Sequence, residues 1–144
     1  MTDDKHCPGP TANLAYNGDS IQFATHGQSF CLPGASYGKD TAEYNFCMIG
    51  NRGQWSSSWQ PEVCQDTDKI KCEVDRENNK TIYWVALPWK ALGMSTPGNG
   101  GVFRGGFVVF ETDNTNETLR WLEFSGGVAG GKSAYLFKYF ILED

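Results

Sequence analysis

Ala42-Glu43-Tyr44-Asn45-Phe46-Cys47-Met48-Ile49 alternates with a period of two, setting Tyr44, Phe46 and Met48 on one side and Glu43, Asn45 and Cys47 on the other. Side chains leave a β-strand on opposite faces in turn, so this stretch reads as a strand with one face on an apolar core. Towards the amino terminus, Ser20 to Thr25 repeats the pattern, Ile21 and Phe23 against Gln22 and Ala24, beyond a polar segment punctuated by Gly27, Pro33, Gly34 and Gly38. In the other direction, Gly50 to Gln60 reads as a loop carrying Arg52, Trp55 and Trp59 among Gly and Ser. Ile70 to Val74 and Thr81 to Leu87, joined by the charged, Asn-rich Asp75 to Lys80, read as a hairpin. Pro88 stops its second strand, and Trp89 to Leu92 has room for one helical turn before Gly93. After a glycine-rich loop, Phe107 to Thr112, with the apolar run Val108-Val109-Phe110, suits a central strand. Leu119 to Phe124 and Ala134 to Leu142 supply two more.

Seven expected strands, no helix longer than a turn and turn residues between all of them point to an all-β fold, an antiparallel β-sandwich of jelly-roll or immunoglobulin-like type. The length fits a single domain, 1–144, with residues 1–17 irregular. Hydrophobic residues at 40% can supply a core, and charged residues at 20% are too few for a disordered chain. No run approaches the ~18 consecutive apolar residues of a membrane helix, so a bilayer is not an expected partner. The net charge is -5, and no run of Lys and Arg could neutralise a row of phosphates, so nucleic acid is not an expected partner either.

Cys7, Cys31, Cys47, Cys64 and Cys72 include no CxxC pair, which argues against a zinc ribbon or a thioredoxin-type motif. Disulfides stay open: Cys64 with Cys72 would make a local clip and Cys31 with Cys47 a second bridge, leaving Cys7 over. The same thiols also suit small buried hydrophobes. The sequons at Asn79 and Asn116 are of a kind common by chance and decide nothing. The chain opens without the charged and apolar regions of a signal peptide, so the signal of an exported protein would lie outside it.

Six motifs follow one another along the chain: Gly18-Asp19-Ser20-Ile21-Gln22; Glu43-Tyr44-Asn45-Phe46; Thr81-Ile82-Tyr83-Trp84-Val85-Ala86-Leu87-Pro88-Trp89; Gly106-Phe107-Val108-Val109-Phe110 with Asp113; Arg120-Trp121-Leu122-Glu123-Phe124; and Gly131-Lys132. In this order they resemble the carbohydrate-binding modules of family nine and the wider DOMON-like sugar-binding sandwiches, most clearly from Asn17 onward. The resemblance implies non-catalytic binding of a polysaccharide or oligosaccharide, within a secreted, extracellular polysaccharide-degrading protein. It also implies structural calcium and a terminal sugar held between two tryptophans. Family members open with several further strands, so the chain reads as incomplete at its amino terminus. A missing segment, an attached catalytic domain or a second chain would complete the sheet, because an uncovered edge and apolar interior are rarely tolerated.

A sugar needs flat apolar faces for its C–H side and planar polar side chains for its hydroxyls. Trp55 and Trp59, in a polar loop with Arg52 nearby, are the first candidates for an aromatic platform. Trp121 is the wall the resemblance implies, with Arg120 beside it, and Glu43 is a candidate for hydroxyl contacts. Trp84 and Trp89 flank the best-patterned strand and are assigned to structure. For metal, Asp113 and Asn114 offer oxygen ligands at a strand end and Asp19 falls in a family motif. Each residue also has a plainer reading: packing for the indoles, turn geometry for Asp113 and Asn114, a solvated strand end for Asp19 and Glu43.

Enzymatic readings are poorer, and no enzyme is expected. Glu43, Glu111 and Glu123 could furnish a carboxylate pair, as in any acidic chain, while His6 and His26 lie in irregular surroundings and no GxSxG elbow occurs. A haem site using His26 with Met48 or Met94 lacks a ligand context. The main alternative to sugar binding is a structural or protein-interaction sandwich without sugar binding.

Overall fold

The computed structural model describes residues 5–27, 30–94, 100–113 and 120–143. Eight strands are found among them: β1 (Ser20–His26), β2 (Thr41–Ile49), β3 (Arg52–Trp59), β4 (Lys71–Glu77), β5 (Lys80–Ala86), β6 (Val102–Glu111), β7 (Arg120–Glu123) and β8 (Lys138–Ile141). Only short 3₁₀ turns accompany them, at Ala12–Asn17, Thr67–Lys69, Trp89–Leu92 and Ala134–Leu136. No helix among the described residues is long and apolar enough to cross a membrane.

The strands form two antiparallel sheets, an all-β sandwich-like fold. The larger has the order β3-β2-β1-β6-β7, with β8 on the first half of β6 and β7 on its second half. The smaller is the hairpin β4-β5, whose turn residues Asn78 and Asn79 both have positive φ, the type I′ geometry that matches strand twist.

Pairing settles which side chains share a face. Phe23 lies opposite Tyr44 and Phe107, and Ile21 opposite Phe46 and Val109, so this face carries the apolar members of the alternation. Tyr44 and Phe46 pack there with Ile70, Leu92, Met94 and Phe103, beneath the hairpin and the Trp89–Leu92 turn. Gly53 makes the close approach possible, since a Cβ there would sit 2.3 Å from the Cys72 carbonyl oxygen. The hairpin leaves part of this face open: Ile21, Phe23, Phe107, Tyr83 and Val85 line an apolar cleft of about 330 Å³.

The opposite face, with Gln22, Ala24, Glu43 and Asn45, is not solvated. Ala24, Val108 and Phe110 pack there against Cys31, Tyr37, Val128, Ala134 and Phe137, which belong to the long connections after β1 and β7. Arg104 of β6 holds the second of these in place. It is buried, donates from Nη2 to the carbonyls of Tyr135 and Phe137, and lies over the Tyr139 ring at 4.9 Å from its centroid. Hydrogen bonds from a charged donor contribute more than neutral ones, so Arg104→Met is expected to cost about 2 kcal/mol in a denaturant melt. A loss below about 0.5 kcal/mol would remove this role.

Two local readings are corrected. The expected loop Gly50 to Gln60 is largely strand β3, entered through a two-residue turn at Gly50 and Asn51, both with positive φ; its Gly and Ser content hid it. Ala134 to Leu142 is strand only over Lys138–Ile141, after a 3₁₀ turn. The segment 1–17 contains the 3₁₀ turn Ala12–Asn17. All five cysteines are free thiols, so neither the Cys64–Cys72 clip nor the Cys31–Cys47 bridge is present. Burial makes them fillers and raises the thiol pKa of Cys47, Cys64 and Cys72, the last to about 11.

Candidate functional site

The buried polar face of the large sheet opens at one place into a cleft of about 340 Å³. Gln22 and Glu43 form its floor with Phe110, Tyr16, Tyr37 and Trp59 provide aromatic surface, and Ser58 and Lys132 add polar groups. Each arrives from a different element: Gln22 from β1, Glu43 from β2, Ser58 and Trp59 from β3, Phe110 from β6, and Lys132 from the connection between β7 and β8.

Glu43 is the electrostatic centre of the site. Its side chain is fully buried, accepts a 2.8 Å hydrogen bond from the Tyr37 hydroxyl, and receives Lys132 Nζ on both carboxylate oxygens at 2.8 and 2.7 Å. A buried carboxylate is tolerable only with such partners. The Lys132 side chain remains 47% exposed, so the pair joins the floor of the cleft to its rim. Burial first, and then the Glu43 charge, holds the Tyr37 phenol protonated far above its ordinary range, so it serves as a fixed donor. Gln22 has no side-chain hydrogen bond among the described residues and is 5% exposed, which leaves its amide free for a guest.

Trp59 owes its position to a break in strand register. β3 pairs regularly with β2 up to Ser57 opposite Tyr44; Trp59, not Ser58, then pairs with Glu43. This β-bulge puts two residues of β3 against one of β2. Trp55 and Trp59 are four positions apart and would share a face in an unbroken strand. The extra residue instead sends Trp59 to the Glu43 side. The ring is 44% exposed, donates Nε1–H to the Gly38 carbonyl at 3.2 Å and meets the edge of Tyr37 at 6.1 Å between centroids.

The other expected site residues are dispersed. Trp55 lies on the opposite face, edge-on to Tyr44 in the core, and does not line the cleft. Arg52 is exposed at the start of β3. Trp121, 57% exposed, pairs with Phe110 and lies one strand beyond the cleft, and Arg120 is exposed opposite Glu111. Asp19 is committed elsewhere: one carboxylate oxygen accepts the Thr112 N–H at 2.9 Å, the other accepts the Cys7 N–H at 2.7 Å and lies 3.0 Å from His6 Nδ1. The Asp113 carbonyl accepts from Cys7 Sγ, and Asn114 lies outside the described residues. No group of three His, Cys, Asp or Glu suited to a metal ion occurs among the described residues.

Tyr16, Gln22, Tyr37, Ser58, Phe110 and Lys132 were not anticipated as site residues. The available signal was the polar side of the alternation, Gln22 with Glu43 and Asn45, three uncharged or acidic groups whose burial no local pattern announces.

The His6 contact makes stability depend on pH. The Asp19 carboxylate is the first cause raising the imidazole pKa above 6.5, with the Met48 carbonyl, 3.1 Å from Nε2, assisting. The folded state therefore favours protonated His6; the contribution is complete below the unfolded value and is lost as pH rises through the raised one. Melting of the native chain is expected to fall more steeply than that of His6→Gln as the pH rises above about 6.5. Parallel curves would show that this contact carries no charge.

Compared with family models, with curated proteins and with solved structures, the chain matches none.

Proposed function

We propose that this domain binds carbohydrate without catalysis, in the cleft bordered by Trp59, Tyr16 and Tyr37. The observation that carries the reading is the meeting of an exposed, fixed indole with unspent or outward-reaching polar groups, Gln22 and Lys132, in one concavity. An aromatic wall accepts the C–H face of a sugar, and amide and ammonium groups reach its hydroxyls. The Glu43 carboxylate faces Lys132 and Tyr37 rather than a second carboxylate, an arrangement that suits anchoring better than acid–base hydrolysis.

The resemblance to family nine modules supports the same reading. It extends it to a module of a secreted polysaccharide-degrading protein, where tethering near substrate raises effective concentration even when each contact is weak. Electrophoresis through gels containing soluble polysaccharides tests it: retardation by at least one neutral glycan is expected, and free migration in a broad panel would refute it. A protein-interaction sandwich is the second reading, favoured by the open apolar cleft of Ile21, Phe23 and Phe107.

A further inference from the structure

Resting on that reading, we infer that the site takes an internal stretch of a neutral oligosaccharide lying across Trp59, with sugar residues on both sides of the indole. A second cleft, of about 320 Å³, is lined by Gly38, Lys39, Ser58, Trp59, Gln60 and Pro61. It shares Ser58 and Trp59 with the first, so the two clefts adjoin at this indole.

Three observations give this arrangement a ligand class. Trp59 is held at its Nε1 by Gly38 and at its side by Tyr37, so the indole is in place before a guest arrives, which cuts the cost of ordering. Both clefts are open to solvent, which lets a chain pass through, and among the described residues only one tryptophan lines them, in place of the two that the family resemblance implies around a terminal sugar. The charge in the first cleft is compensated within the protein, Lys132 against Glu43, so hydroxyl hydrogen bonding and stacking are what it offers. The second cleft adds Gln60 and Lys39, polar side chains that do not line the first.

Calorimetric or NMR titration with cello-, xylo- and manno-oligosaccharides, from mono- to hexasaccharide, tests the inference. In the series that binds, affinity is expected to rise at least about tenfold from the monosaccharide to the length that bridges both clefts and then to level off. Lys39→Ala with Gln60→Ala, both exposed positions, is expected to bring the longer members down to about the monosaccharide's affinity. Equal affinity for all lengths, or no effect of the double substitution, overturns the two-cleft arrangement and leaves sugar binding standing. Binding of none of the three series overturns both.

Discussion

Trp59→Ala should lower affinity for a retarding polysaccharide by about thirtyfold, roughly 2 kcal/mol, the usual size of a central aromatic anchor in a recognition site. The ring is 44% exposed, and among the described residues its hydrogen-bond and aromatic contacts are one bond to a carbonyl and one edge contact with Tyr37. Its removal should therefore leave the melting transition cooperative, at a cost of about 1 kcal/mol. Trp55→Ala is the informative contrast, since that indole packs on Tyr44 inside the opposite layer and its loss acts on stability first. A folded Trp59→Ala protein that migrates like the native one in the polysaccharide gel would remove the indole from the binding mechanism.

Glu43→Ala carries the largest expected loss of stability. The substitution strips a fully buried carboxylate from the Tyr37 hydroxyl and from Lys132. Breaking a buried pair by removing one partner typically costs 3–5 kcal/mol. Lys132 is half-exposed and can return to water, so its share is small, whereas the Tyr37 hydroxyl remains buried without an acceptor. About 3 kcal/mol is therefore expected in denaturant unfolding, and about half that for Glu43→Gln, which keeps an acceptor oxygen. A Glu43→Ala variant within about 0.5 kcal/mol of the native protein would show that the carboxylate organises nothing.

The fold was legible wherever alternation was clean. β1, β2 and the β4–β5 hairpin follow from apolar residues at every second position, and Pro88 and Gly93 bracket the Trp89–Leu92 turn. β3 was not legible, because Arg52 to Trp59 holds three serines and a glycine in place of β-branched residues and is entered through Gly50-Asn51. Its strand character comes from pairing with β2, a tertiary effect that overrides local propensity. The site was legible only in Trp59 and Glu43. A bulge separates Trp59 from Trp55, and nothing short of the register reveals it. Gln22 and Lys132 stood in the motifs that carried the family resemblance, but their convergence depends on how distant segments meet. Glu43 read equally well as a solvated strand end, since the segment that buries it is remote in sequence.

That remoteness has a kinetic side. The Lys132–Glu43 contact closes a loop of 89 positions, whereas the hairpins need only neighbours. Segments that must find each other over such a separation meet late, because chain entropy opposes them until the strands between are already in place. The β1–β6 pairing at the centre of the large sheet, with Ser20 opposite Phe110, spans a like separation, so the cleft should close together with that pairing and after the local hairpins during refolding. A polypeptide released from synthesis before Lys132 is added would carry strands β1 to β7 in its sequence and the Glu43 carboxylate without its cation.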